Sequence, residues 1–146
     1  MISRNKPWDS YRKVATQTAT PGQLVLMLYD GALTFLEKSL TGFEHRDPRL
    51  FNQTINNNII RAQAIIHEMN ASLNMQEGGE VASNFRRLYN YFYRRLTQAN
   101  RTKQKAPILE IITHLRQMRD SWAEMLRRGV GDGSAAESSS LAEAAA

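Results

Sequence analysis

The stretch T-A-T-P-G-Q-L-V-L-M-L-Y-D-G-A, residues 18–32, carries a helix-start signal followed by a dense apolar pattern. Thr20 has an N-capping side chain, and Pro21 fits the first helical position, where no N–H is needed. Gln23 lies three residues after Thr20, as in a capping box. The sequence therefore predicts a helix that begins at Pro21 and ends near Gly42.

The apolar residues of this first helix cover more of its surface than a single core stripe requires. With Leu24 at zero and about 100° per residue, polar side chains occupy only roughly 220° to 320° of the helical wheel. An ordinary core stripe is little more than about 100° wide. Two neighbouring helices would explain the wide arc, and so would a groove left open for another chain. The residues beyond the ordinary stripe are Leu26, Tyr29, Leu33 and Leu40.

A second amphipathic segment begins with the same type of signal. Asp47 and Pro48 repeat the cap and the proline, and apolar residues then recur at three- and four-residue spacing as far as Leu73. The pair Gly78 and Gly79 breaks this pattern. We therefore expect the second helix to end before these glycines.

Two further amphipathic segments complete the pattern. The third has apolar residues from Val81 to Ala99 on one face, and the fourth begins at Pro107 with Gly129 as its C-cap. No alternating strand pattern competes with them. The sequence predicts an all-α fold, an antiparallel four-helix bundle with a short N-terminal helical arm and a disordered C-terminal tail.

The two ends of the chain differ in apolar content. Trp8, Tyr11 and Val14 recur every three residues, as in one or two helical turns with an apolar side. Residues 130–146 have too little apolar surface to offset the entropy of ordering. We therefore expect one bundle domain over residues 1–129, which includes the arm, and a disordered tail over 130–146.

Composition narrows the class of protein. The 146 residues include 42% hydrophobic residues, enough for a core, but no run approaches the roughly 18 apolar residues of a membrane helix. Cysteine is absent, which excludes disulfides and thiolate chemistry. Residues 1–13 contain no apolar signal region. These features favour a soluble cytoplasmic protein without membrane insertion.

Positive charge is concentrated in the predicted bundle. The chain carries a net +5, and the tail has three acidic residues and no basic ones, so residues 1–129 carry 19 minus 11, or +8. A basic bundle can attract nucleic acid, acidic protein or an anionic membrane. The arginines at 86, 87, 94, 95, 127 and 128 fall away from the apolar seams, as on an ordinary solvated surface. The basic charge makes nucleic-acid binding the alternative function. Against it, no helix combines these arginines with aromatic residues into a recognisable nucleic-acid module.

Catalytic and metal-binding patterns are weak. None of His45, His67 and His114 lies in a Glu-x-x-His motif, so a di-iron site of the ferritin type lacks its ligands. Glu110 and His114 share a helix face at four-residue spacing, which is typical of a solvated contact. We expect no enzyme activity, cofactor or metal site.

The order of several motifs resembles the family of flagellar secretion chaperones called FliS. These motifs are residues 18–32, G-G-E-V-A-S-N at 78–84, L-Y-N-Y at 88–91, R-R-L at 94–96, A-N at 99–100, and Trp122. The resemblance implies a cytoplasmic helical bundle that is not an enzyme and that binds the C-terminal segment of flagellin. It also implies presentation of that client to the flagellar export gate, and an N-terminal arm that can occupy the binding surface.

Apolar residues outside the predicted seams are the candidate client contacts. Ile60 lies about 180° from Phe51 on an otherwise polar face, and Tyr91 and Tyr93 flank the seam of the third helix. The arm either occupies the groove until the client arrives or contacts the client itself. A homodimer is compatible with this pattern. The predicted contacts are Tyr11, Val14, Leu26, Tyr29, Leu33, Leu40, Ile60, Tyr91 and Tyr93.

Overall fold

The computed structural model describes residues 19–129. Within this range the chain forms four α-helices, which confirms the expected fold class. The predicted N-terminal arm and C-terminal tail lie outside the described residues. The elements are α1 (Pro21–Thr41), a short 3₁₀ turn (Gly42–Glu44), α2 (Pro48–Ala71), α3 (Gly79–Thr102) and α4 (Lys105–Arg127).

The first two helices begin where their capping signals predict. The Thr20 hydroxyl accepts a hydrogen bond from the Gln23 amide at 3.2 Å, and the Gln23 side chain accepts one from the Thr20 amide at 3.1 Å. Asp47 accepts from the Arg49 amide at 2.9 Å and so caps α2. These bonds satisfy backbone donors that have no partner within the helix.

The start of α4 differs slightly from the prediction. This helix begins at Lys105, so Pro107 is its third residue rather than its first. Proline is tolerated there because the amides of the first turn have no acceptor within the helix. At the other end, Gly129 follows α4 with a φ of 81°, a left-handed conformation that favours glycine.

Gly42 marks the end of α1 for a reason that the sequence did not reveal. Its φ of −64° is open to any residue. A side chain here would instead collide with α2, because a Cβ atom would lie 2.8 Å from Cγ1 of Ile55 and 3.0 Å from its amide nitrogen. The glycine therefore permits a close approach between the two helices.

The four helices form a bundle in which each helix packs against two neighbours that run antiparallel to it. Both α1 and α3 pack against α2 and α4. The Trp122 indole, near the end of α4, donates to the Gly22 carbonyl at the start of α1 at 2.8 Å. Asn100, near the end of α3, donates to Asn56 near the start of α2 at 2.8 Å. The structure is thus the predicted antiparallel bundle.

All four helices contribute to one apolar core. Its fully buried side chains include Leu36, Ile59, Phe92 and Leu115, one from each helix. No helix within residues 19–129 is long and apolar enough to cross a membrane.

Candidate functional site

The wide apolar arc of α1 is mostly internal, which corrects two predicted surface contacts. Tyr29 is 4% exposed and Leu33 is 8% exposed, so neither lies on an open face of α1. The reason is that α1 has two neighbours. Asp30 pairs with Arg119 of α4 at 2.8 Å, which places α4 beside the far edge of the arc. α1 packs against both α2 and α4, and Tyr29 also reaches the Tyr89 hydroxyl of α3 in the core, so the wide apolar arc is covered by more than one helix.

Three other predicted contacts are half-buried rather than open. Leu26 and Leu40 pack against the core at its margin. Tyr91 lies between α3 and α4, where its hydroxyl donates to Glu110. Tyr11 and Val14 fall outside the described residues.

The Tyr91 hydroxyl belongs to a polar cluster that joins α3 to α4. Arg95 donates to the other oxygen of Glu110 at 2.9 Å. The hydrogen bond from Tyr91, followed by that from Arg95, lowers the pKa of Glu110, and the same bond raises the pKa of Tyr91. His114, on the same face of α4, adds a smaller electrostatic interaction with Glu110, and its ring stacks on Phe92 with 5.7 Å between the ring centroids.

Ile60 and Tyr93 are exposed, with 51% and 44% of their surfaces accessible. Both lie on the side where α2 meets α3, because Gln63, one turn after Ile60, donates to the Tyr93 carbonyl at 3.0 Å. A cavity of about 310 Å³ opens on this side. We call this surface the α2–α3 groove; its cavity is lined by Ile66, His67, Asn70, Tyr89, Asn90, Tyr93 and Arg94.

Hydrogen bonds between side chains cross the same junction at regular intervals. Gln63 also donates to the Thr97 hydroxyl at 2.8 Å. One end of the junction holds the Asn56–Asn100 bond, and at the other Asn70 donates to Asn90 at 2.9 Å. The groove is therefore lined by polar side chains together with the buried Ile66 and Tyr89, and Tyr93 is exposed beside them.

A second opening lies between α1, α3 and α4 and is more apolar. It encloses about 260 Å³, and we call it the apolar cleft. Two of its lining residues are methionines, whose unbranched side chains fit irregular apolar surfaces. It is lined by Tyr29, Phe85, Leu88, Gln117, Met118, Ser121, Trp122 and Met125.

A pair of buried hydroxyls separates the two openings. Tyr29 lines the apolar cleft and Tyr89 lines the α2–α3 groove, and their hydroxyl oxygens lie 3.3 Å apart. Burial raises the pKa of both phenols. Tyr29 therefore contributes an edge to the cleft although it is almost entirely buried.

Sequence reasoning missed most of the cleft. Phe85, Met118 and Trp122 share the spacing of the core stripes, and nothing in that spacing distinguishes a core position from a cleft wall. Their half-buried neighbours Leu88 and Met125 follow the same pattern. Only the packing of the helices shows which side chains border an opening.

No group of three histidine, aspartate or glutamate residues in the described range is arranged to hold a metal ion. The part of the chain that the structure describes is a four-helix bundle with an apolar cleft between α1, α3 and α4 and a groove of mixed polarity between α2 and α3.

Comparison with known proteins identifies the family. The family model "Flagellar protein FliS" matches residues 4–129, so the chain belongs to the FliS family. The flagellar secretion chaperone FliS of Bacillus subtilis is 35% identical over 121 residues, which cover 83% of this chain and 86% of that protein. The FliS protein of Salmonella typhimurium is 32% identical over 76% of this chain and 80% of its own length. The chaperone FliSB of Pseudomonas aeruginosa is 27% identical over 80% and 93%.

Proposed function

We propose that this chain is a cytoplasmic, non-enzymatic export chaperone that binds the C-terminal segment of flagellin. It keeps that segment from polymerising early and delivers it to the flagellar type III export apparatus through a component of the export gate. The observation that carries the proposal is the apolar cleft, in a bundle that belongs to a family of flagellar secretion chaperones.

The cleft has the size and lining of a site for side chains from a helix. Its volume of about 260 Å³ lies below the roughly 300–1,000 Å³ of typical small-molecule pockets. Phe85, Leu88 and Met118 offer apolar walls, and Ser121 adds a hydroxyl at the edge. An amphipathic helix that folds on binding would place one or two apolar side chains here.

The α2–α3 groove provides a second contact area for a client that wraps around the bundle. Ile60 and Tyr93 are exposed there, and tyrosine combines apolar contact with hydrogen bonding. Leu26, Leu40 and Tyr91 remain proposed contacts at the margins of the other interfaces.

Calorimetry with the full chain and a flagellin C-terminal peptide tests the proposal. Met118→Asp places a carboxylate in the cleft, where bound apolar side chains would have to desolvate it. We expect one-to-one binding to the wild type and a loss of affinity of about tenfold or more in the variant. Thr113→Asp, at an exposed position of the same helix, is the matched control. Equal affinity of both variants would contradict a client site in the cleft.

Salt dependence distinguishes this function from nucleic-acid binding by the arginine-rich surface. Apolar burial is weakly screened, whereas displacement of counterions from phosphates makes nucleic-acid affinity fall steeply with salt. We expect flagellin-peptide affinity to change little between low and moderate salt. Binding of a nonspecific DNA duplex with similar affinity would favour the alternative.

The N-terminal arm has two proposed roles that kinetics separates. Stopped-flow mixing would compare the wild type with a variant that carries Tyr11→Ala and Val14→Ala. If the arm covers the client site, association becomes faster because an intramolecular competitor is weakened. If the arm contacts the client, dissociation becomes faster. Unchanged rates would exclude both roles.

A further inference from the structure

Three arginines form a straight row along the outer face of α3. Arg87, Arg94 and Arg101 are seven residues apart and all are exposed. Seven residues advance a helix by about 10.5 Å and return to within about 20° of the same direction. We call these three residues the arginine row.

The arginine row is not neutralised by nearby carboxylates. Within residues 19–129, no acidic side chain lies at ion-pair distance from any of its three guanidinium groups. Among the described residues, Arg87 donates a side-chain hydrogen bond to the neutral Asn84. By contrast, the other two arginines of α3 are engaged between helices, Arg86 with Asn70 and Arg95 with Glu110.

We propose that the arginine row binds an acidic helix of a second partner protein, one that carries carboxylates at seven-residue spacing. A helix lying alongside α3 would present one carboxylate to each guanidinium, and arginine pairs with carboxylates through two parallel hydrogen bonds. Tyr93 is exposed beside Arg94 and offers apolar contact to the same helix.

Two other occupants fit the row less well. A nucleic-acid duplex presents phosphates from two strands and is usually met by a broad basic surface, whereas this row is one residue wide and Glu80 extends it with a negative charge. The chain's own acidic residues, Asp132, Glu137 and Glu143, are spaced by five and six positions rather than seven.

The row lies apart from the apolar cleft, although Arg94 also lines the α2–α3 groove. Arg94 is nine residues after Phe85 of the apolar cleft, which places the two side chains about 180° apart around α3. A client held in the cleft and an acidic helix on the row can therefore bind at the same time, whereas a client segment in the α2–α3 groove would compete with that helix for Tyr93 and Arg94. The row is tested without flagellin, so its failure is distinct from failure of the client site.

The test uses the full chain and a synthetic helical peptide of about 21 residues with a glutamate at every seventh position, the length of three such repeats. Fluorescence anisotropy should detect binding that weakens as salt increases. A peptide of the same composition with its glutamates at five-residue spacing should bind less tightly. Replacing all three row arginines by glutamine should lower the affinity for the first peptide by about tenfold or more.

A matched variant removes the same amount of charge elsewhere, through Arg46→Gln, Arg49→Gln and Arg127→Gln, and should retain the affinity to within about twofold. Equal losses in both triple variants would overturn the proposal, because they would indicate a nonspecific charge effect. A DNA duplex that binds more tightly than the peptide and depends on the row would overturn it in favour of nucleic acid. Peptide binding seen only after the three tail acids are neutralised would assign the row to the tail instead.

Discussion

Replacing Leu33 by alanine measures how much the apolar residues of α1 beyond the ordinary core stripe contribute to the free energy of unfolding. Leu33 is 8% exposed, so nearly its whole side chain is withdrawn from water. Burial of a leucine contributes about 1.5–3 kcal/mol, and the cavity left by truncation raises the usual cost of Leu→Ala to about 2–5 kcal/mol. We expect Leu33→Ala to lower the free energy of unfolding by about 3 kcal/mol.

Urea denaturation followed by far-ultraviolet circular dichroism provides the assay. With a urea dependence of about 2 kcal/mol per molar, the midpoint should move by about 1.5 M. Thr34→Ala is the control, because Thr34 is the next residue and is exposed; its effect should stay within about 0.5 kcal/mol. Leu26→Ala, at a half-buried position, should fall between the two.

Similar midpoints for the Leu33 and Thr34 variants would refute the reasoning. They would mean that Leu33 is not packed inside the bundle, and would favour the interpretation of Leu33 as a residue of an open groove. A normal urea dependence in Leu33→Ala is needed for the comparison, since a changed slope would indicate a different denatured state.

Three further predictions test separate features of the bundle. Gly42→Ala should lower the free energy of unfolding by about 1–3 kcal/mol in urea denaturation, because its Cβ atom would collide with Ile55; an unchanged midpoint would contradict the close approach. Tyr29→Phe should cost about 1–3 kcal/mol by leaving the Tyr89 hydroxyl buried without its partner, and the double variant with Tyr89→Phe should cost less than the sum of the single variants in a double-mutant cycle. Glu110 has a pKa below its ordinary 4.5 in the folded protein, so its contribution to stability is present above that value and is lost as the pH falls through the lower folded pKa. Denaturation across this acidic range should therefore show a steeper loss of stability in the wild type than in Glu110→Gln, and parallel curves would count against the cluster.

The helix boundaries could be predicted because their signals are local. The capping box at Thr20 and the N-cap at Asp47 consist of hydrogen bonds between residues two or three positions apart. Their sequence patterns therefore specify these bonds directly. The predicted start of α4 at Pro107 was wrong by two residues, because proline is tolerated throughout the first turn and does not specify its first position.

The exposure of apolar side chains could be predicted only where the surrounding face was informative. Ile60 is the apolar residue of an otherwise polar face of α2, and the structure leaves it exposed, while its proposed contact with the client stays a prediction. Tyr29 and Leu33 are buried rather than on an open face of α1, because helical periodicity defines an apolar arc without stating how many neighbours cover it. Met118 and Trp122 were predicted as core residues, but both also line the apolar cleft. Helical spacing cannot distinguish the wall of a cleft from a core position.

The side-chain amides between α2 and α3 restrict how these two helices can slide along each other. Apolar contacts are non-directional and tolerate a shift, but hydrogen bonds such as Asn56–Asn100, Gln63–Thr97 and Asn70–Asn90 do not. A displacement of one turn, about 5.4 Å, would separate all three pairs together. These hydrogen bonds therefore fix the longitudinal register of α2 against α3. Core side chains can change in volume during evolution while this register stays the same.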